Sequence, residues 1–198
     1  FNEIDVPPTL VSFAVDVAKQ KDIITPELKA AGNKLIQFTI ETDAYDLPVY
    51  ERVKALYDTM HALIGKRAIV SAYALDGKGL AAAVSKMAFG NKLGVRLDAQ
   101  ACTQEQLFAP AFGSFVAEAP ADKIAEIEEA VHAAGLDQSY RIIGEVSADS
   151  TFSFGDVTIA AEEAIAAWTG TLEKVFPTIA AEGKEEVNTD IYHTDHIY

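Results

Sequence analysis

The stretch at residues 68–87, AIVSAYALDGKGLAAAVSKM, decides how the chain is read. Residues 68–75 are apolar and strand-sized, too short for an independent helix. Asp76-Gly77-Lys78-Gly79 then interrupts the run. From residue 80 the apolar positions change period, and Leu80, Ala83, Val84 and Met87 recur at the three- and four-residue spacing of one helix face. The local unit is therefore strand, glycine turn, helix.

The same alternation continues in both directions. Upstream, KLIQFTI (34–40) places Ile36, Phe38 and Ile40 on one face of a strand. Asp46 is positioned to cap a helix with Pro48 in its first turn, where proline has no N–H to lose. Val49, Val53, Leu56, Met60, Leu63 and Ile64 make that helix's apolar stripe, and Gly65 ends it. Residues 9–18 (TLVSFAVDVA), rich in β-branched and aromatic types, read as another strand. Downstream, the pattern predicts a short strand at 94–98, a brief helix begun by Thr103, and a strand at 113–118. A helix near Asp122 follows, with Ile124, Ile127 and Val131 inward and Gly135 as its stop. Strands at 140–147 and 151–159 are expected to pair antiparallel, followed by a helix at 160–168. Trp168 and the phenylalanines are assigned to the core. Strand, helix, strand, strand, helix near the middle is a split βαβ order. The expected class is α+β: a mixed, largely antiparallel sheet covered by helices, with partial ferredoxin-like topology.

The 198 residues suit one domain, and 49% apolar content is enough for a core. No apolar run approaches the roughly 18 residues of a membrane span. The formal net charge of −14 repels phosphate backbones and anionic headgroups, which argues against nucleic acid and membrane partners. Glu126, Glu128 and Glu129 fall on the wet side of one helix. A small phosphorylated substrate remains compatible with this charge, because backbone amides hold phosphate locally. The chain opens at Phe1, with no basic segment ahead of an apolar run, and residues 4–15 read as a linker feeding a strand. These features predict a cytoplasmic domain excised from a longer polypeptide. The expected division is a linker over 1–8, a domain over 9–180 and a polar linker over 181–198.

Chemistry-bearing positions are few. Cys102 is the single cysteine, so neither an internal disulfide nor a cysteine-based zinc site can form, and no neighbouring base marks it as a nucleophile. It is expected to be half-buried and structural. His61 and His132 fall on separate helices, while His193 and His196 lie in a polar tail that lacks the surroundings which fix metal ligands. No catalytic residue and no metal site is assigned. The turn at 76–79 lets backbone N–H groups approach a phosphate at a helix start, with Asp76 and Lys78 as side-chain contacts and Gly79 as the permissive position. The alternative reading is a plain tight turn. Gly32-Asn33-Lys34, entering the first core strand, is the second candidate, and ordinary loop chemistry is its alternative. Gly113-Ser114 lacks a nucleophile elbow, which rules out a hydrolase reading.

Three segments carry a resemblance: VPPTLVSFAVDVAKQKDIITPELKAAGNKLI (6–36), SAYALDGKGLAAAVSKMAFGNKLGV (71–95) and LFAPAFGSFVAE (107–118). Together they resemble the last synthetase domain of long, single-chain phosphoribosylformylglycinamidine synthases, an AIR-synthase-like C-terminal domain. NTDIYHTDHIY (188–198) is similar to the connector preceding their glutaminase domain. The resemblance implies a part in converting formylglycinamide ribonucleotide, ATP and glutamine to the amidine of purine biosynthesis. It implies ATP or ADP with magnesium in the complete enzyme, and the synthetase N-terminal domains and the glutaminase domain as partners within one polypeptide. It also implies that the domain alone is inactive. By the same resemblance, Gly32, Asn33 and Lys34 stand where relatives place a Gly-rich loop near phosphates. Relatives carry His-Asp and Ser-Asp-Gly-Gly at the strand-to-helix turn, where this chain has Tyr73-Ala74 and Asp76-Gly77-Lys78-Gly79. The missing histidine removes the obvious acid–base group. What remains is completing a phosphate pocket, holding an auxiliary nucleotide, or bracing the active half. A related ATP-dependent enzyme acting on another substrate and a purely structural or regulatory domain are the rivals.

Overall fold

The structure, a computed structural model, describes residues 8–177 and residue 179. In chain order the elements are β1 Lys34–Phe38, α1 Tyr50–Gly65, β2 Ser71–Ala74, α2 Gly79–Asn91, β3 Gly94–Leu97, α3 Gln104–Phe108 and β4 Phe115–Ala119. They continue as α4 Ile124–Ala133, β5 Tyr140–Ser147, β6 Thr151–Phe154, β7 Val157–Ala160 and α5 Ala161–Gly170. The strands form one sheet in the order β2-β4-β1-β5-β3-β6-β7. Every pairing is antiparallel except β3 with β6.

Two split βαβ units are laid into one another. β4 lies between β1 and β2, and β1 lies between β4 and β5. This is the complete ferredoxin-like order, where the sequence pattern predicted only part of it. The α2-β3-α3 segment is inserted between β2 and β4 in the chain, and β3 extends the sheet beyond β5.

Alternation along the central strands divides the apolar residues between two cores. Ile36, Phe38, Phe115 and Ala117 meet Leu56, Met60 and Leu63 of α1 and Ile127 and Val131 of α4. Phe38 stacks on Phe115 with ring centroids 5.1 Å apart and meets Tyr140 edge-on at 5.7 Å. On the other face Leu35, Val116, Ile143 and Val146 pack with Leu80, Val84 and Met87 of α2 and Leu107 of α3. Being covered on both sides explains why β1 and β4 read as near-continuous apolar runs. Each carries one polar residue facing the second core, Gln37 and Glu118. Gln37 accepts from Arg141 Nη2 at 2.8 Å.

Most predicted elements form close to their expected bounds, including α3 with the capping box from Thr103 to Gln106. Four expectations need correction. Residues 9–18 form no strand and lie exposed, because strand formation needs a neighbouring ladder and no described strand pairs with them. Asp46 caps nothing: at φ 60° it belongs to a turn closed by the Asp43 carboxylate, which accepts from Tyr45 and Leu47 N–H at 2.8 and 3.0 Å. Pro48 bridges to Thr42, and α1 starts only at Tyr50. The 140–147 and 151–159 runs are not hydrogen-bonded partners, since β3 lies between them. Gly155, at φ 55°, instead folds the second run into the β6–β7 hairpin. Finally, Trp168, Phe13, Phe108, Phe112 and Phe176 are exposed rather than core.

A second unit begins at Glu162, and its described part consists of helix α5 from that residue on and a run of turns after it. The expected 1–8 linker falls almost entirely outside the described residues. The 181–198 linker, with His193, His196 and the connector-like tail, lies wholly outside them.

β3 slots between β5 and β6 only because Gly94 has no side chain. A Cβ there would lie 2.4 Å from Ser147 Oγ and 2.7 Å from the Thr151 carbonyl oxygen. Gly94→Ala is expected to destabilise the domain by about 1–3 kcal/mol through overpacking, measured by urea unfolding. Amide exchange should quicken most where β3 meets β5 and β6.

Candidate functional site

The chain entering β1 is shaped around a buried carboxylate. Glu118 on β4 has no exposed surface. Its oxygens accept from Lys29 N–H at 3.0 and 2.8 Å, from Ala30 N–H at 3.1 Å and from Asn33 Nδ2 at 2.7 Å. Gly32 N–H donates to the Val146 carbonyl oxygen and Val146 N–H to that of Asn33, both at 2.8 Å. Gly32 sits at φ 90° with open space where a Cβ would be, so backbone conformation alone calls for glycine here. The loop's amide donors converge on an anion, and that anion is the protein's own glutamate.

The turn at 76–79 follows the same logic. Asp76 Oδ1 accepts from Lys78 N–H at 2.7 Å, and the Asp76 carbonyl oxygen accepts from Ala111 N–H at 3.2 Å and Gly79 N–H at 3.3 Å. Gly79 is buried at φ 71°, and a Cβ would lie 2.7 Å from the Ala109 carbonyl oxygen. Close packing against the end of α3 therefore explains this glycine. Lys78 is exposed.

The structure does not bring the two loops together. β1 and β2 run parallel on either side of β4. Lys34 is level with Ala119 at one end of β4, whereas Ala74 is level with Phe115 at the other. The loops therefore lie at opposite ends of the sheet, separated by roughly 13 Å of strand or more. Gly32, Asn33 and Lys34 form one locus; Asp76, Lys78 and Gly79 form another.

At the Lys34 end the sheet carries an open pocket of ≈ 320 Å³, lined by Lys34, Arg96, Leu97, Asp98, Ile142, Gly144 and Glu145. Lys34 Nζ meets Glu145 Oε2 at 2.9 Å, Arg96 Nη1 lies 3.6 Å from Glu145 Oε1, and Arg96 also pairs with Asp149. The hydrogen bond from Lys34, then its charge, holds the Glu145 carboxyl below the ordinary range, with Arg96 adding to the effect. A second, apolar groove of ≈ 390 Å³ lies between α1 and β2.

Arg96, Glu145 and Glu118 were not singled out from sequence. Glu118 carried a readable signal, an acidic residue at a core-facing position of an otherwise apolar strand, which burial permits only when it is fully partnered. Arg96 and Glu145 carried none, because their meeting depends on β3 pairing with β5. Cys102 is fully rather than half buried, and burial pushes its thiol up, away from reactivity. Among the described residues no group of three or more His, Cys, Asp or Glu is placed to hold a metal, and no helix is long and apolar enough to cross a membrane.

A family model described as AIR synthase related protein, C-terminal domain, matches residues 23–156. The fold is similar to that of a Thermotoga maritima PurLQS structure, with TM-score 0.63 and 13% identity over 73% of this chain and 28% of that one. It is likewise similar to phosphoribosylformylglycinamidine synthase II from the same organism, with TM-score 0.61 and 12% identity over 73% of this chain and 28% of that one. T. maritima PurL complexed with FGAR matches with TM-score 0.62 and 12% identity over 72% of this chain and 29% of that one. At such identities the likeness is one of fold, and the chain spans under a third of each of these proteins. No curated protein matches the sequence.

Two predictions follow from the buried and half-buried carboxylates. Glu118→Ala removes the acceptor of three donors in the 29–33 loop and is expected to cost about 1–3 kcal/mol in urea unfolding, whereas Glu118→Gln keeps one acceptor oxygen and costs about 1 kcal/mol or less. Equal losses would mean that the carboxylate does not organise the loop. For Glu145, a depressed folded-state pKa means stability that is full above the ordinary value of 4.5 and is lost as pH falls through the depressed one. An NMR titration should find Glu145 protonating below 4.5, and Lys34→Ala should move that midpoint upward.

Proposed function

Because the chain belongs to the AIR synthase related protein, C-terminal domain family, we propose that it serves as one synthetase domain of a cytoplasmic, ATP-dependent C–N ligase. The specific reading is phosphoribosylformylglycinamidine synthase, a purine-pathway glutamine amidotransferase acting on formylglycinamide ribonucleotide. The observation that carries it is the family match over residues 23–156, which encloses both candidate turns. The similar folds of T. maritima PurL, one complexed with FGAR and one with ATP, support the substrate class.

Backbone amides are poor candidates for holding a phosphate here, since Glu118 takes those of Lys29 and Ala30, and Asp76 takes that of Lys78. Side chains fit better. Lys34 and Arg96 present an ammonium and a guanidinium over an open pocket, each already balanced by a carboxylate that a stronger anion would displace. Gly32 and Asn33 shape the approach to Lys34. Lys78, with Asp76 and Gly79 behind it, offers a separate contact at the far end of the sheet. Phosphoryl chemistry on ATP would come from the complete enzyme with its magnesium. This domain contributes charge and position, and by itself it is inactive.

Internal satisfaction of both loops also favours a second reading, a domain that braces its neighbours without touching a ligand. Steady-state kinetics of the complete polypeptide carrying Lys34→Ala separates the two. A contact role predicts a KM for ATP or the ribonucleotide raised about tenfold, the loss of one charge-assisted hydrogen bond. Unchanged KM values, with unaltered nucleotide stoichiometry, would leave the bracing role.

A further inference from the structure

β1 and β5 carry a cross-strand pair that the polar pocket does not use. Gln37 lies opposite Arg141 in the antiparallel register. Lys34 stands three residues before Gln37 on β1, so the two side chains leave opposite faces of the sheet. Gln37 and Arg141 therefore share the α2 and α3 side, away from Lys34. Arg141 Nη2 donates to Gln37 Oε1 at 2.8 Å, and Nη1 donates to Gln106 Oε1 of α3 at 3.4 Å.

The surroundings of this guanidinium are unusual for so acidic a chain, with 30 acidic residues against 16 lysines and arginines. The other half-buried cations each meet a carboxylate or a phenol. Lys34 pairs with Glu145, Arg52 with Glu41 and Lys123 with Glu126, and Lys86 rests on Tyr73. Arg141 meets only two neutral amides among the described residues. A cation partly withdrawn from water without a counter-ion is costly to hold.

The glutamines add donors to that charge. Only an amide oxygen can accept from a guanidinium, so each glutamine is left with its NH2 group to place elsewhere. Gln37 is 7% exposed, and its NH2 group donates to nothing among the described residues. Arg141 keeps three of its five N–H donors unengaged. Gln106 Oε1 is fixed from behind by the Thr103 N–H of the capping box at 3.0 Å.

We propose that Arg141, Gln37 and Gln106 form a binding site for the phosphate group of a small ligand, on the sheet face opposite the Lys34 pocket. The unmatched positive charge selects an anion. Unengaged N–H donors on three adjacent side chains select one with several acceptor oxygens, which favours a phosphate over the two oxygens of a carboxylate. The bound group gives Arg141 its counter-ion and Gln37 the acceptor it lacks. The site is independent of the roles given to Lys34, Arg96 and Lys78, and of the ribonucleotide reading.

The test is NMR titration of the 198-residue chain with inorganic phosphate, pyrophosphate and acetate at constant ionic strength, following Arg141 Nε–H and the side-chain amides of Gln37 and Gln106. Phosphate or pyrophosphate should give saturable shifts at all three groups. Acetate should bind at least about tenfold more weakly, the equivalent of one charge-assisted hydrogen bond. Gln106→Glu installs the missing carboxylate and keeps the acceptor for Thr103 N–H, so it should abolish the response at Arg141 and Gln37 without lowering the urea midpoint. Arg96→Ala should leave the response at Arg141 unchanged, which separates this site from the Lys34 pocket. The absence of a saturable response would overturn the proposal, as would acetate binding as tightly as phosphate or an undiminished response in Gln106→Glu.

Discussion

A carboxylate placed inside an apolar strand must be met by donors, and the fold is organised around meeting Glu118. Burying an ionised group without partners would cost more than most single contacts in a domain return. Glu118 sits on β4 directly between Leu35 of β1 and Ser71 of β2, and its own carbonyl oxygen accepts from Val70 N–H at 3.0 Å. Its side chain gathers Lys29, Ala30 and Asn33 from the chain that precedes β1. One residue thus joins the loop entering the sheet to the centre of the sheet, across 89 positions of sequence at Lys29. The loop's shape follows from that demand, and with it the placement of Lys34 at the mouth of the polar pocket.

The turn after β2 repeats the device on a smaller scale. Asp76 occupies the N–H of Lys78, and its own carbonyl oxygen takes those of Gly79 and Ala111, which fastens the start of α2 to the segment between α3 and β4. Glycine-containing loops that look open in sequence are in both cases already committed to internal anions. In a chain of net charge −14, Lys34 and Arg96 are each balanced by a carboxylate rather than left as bare charge. They stand together over one pocket, and Lys78 stands apart from them.

Element positions were readable wherever a period could express itself locally. The helical stripes of α1, α2 and α4, the Thr103 capping box and the alternation of β1 needed only neighbours along the chain. What failed did so for a common reason. The 9–18 run has strand chemistry but no ladder among the described residues, because a strand exists only with a partner. The 140–147 and 151–159 runs have the right chemistry to pair, yet β3 intervenes, and nothing local to either run announces it. Gly94 marks the crowded place where this happens, though its reason appears only when Ser147 and Thr151 are seen against it.

The sequence by itself determined the class of the fold, the faces its helices bury, the glycines at the turns and the net charge of −14. Each of these follows from spacing or composition, which are properties of the chain. Only the tertiary structure decided which strands touch, that Arg96 and Glu145 join Lys34 while Lys78 does not, and that Glu118 already fills the loop expected to be open. Those outcomes depend on sheet order and register. Strand pairing across many tens of residues is settled by the packing of two cores at once, and no single segment carries that information.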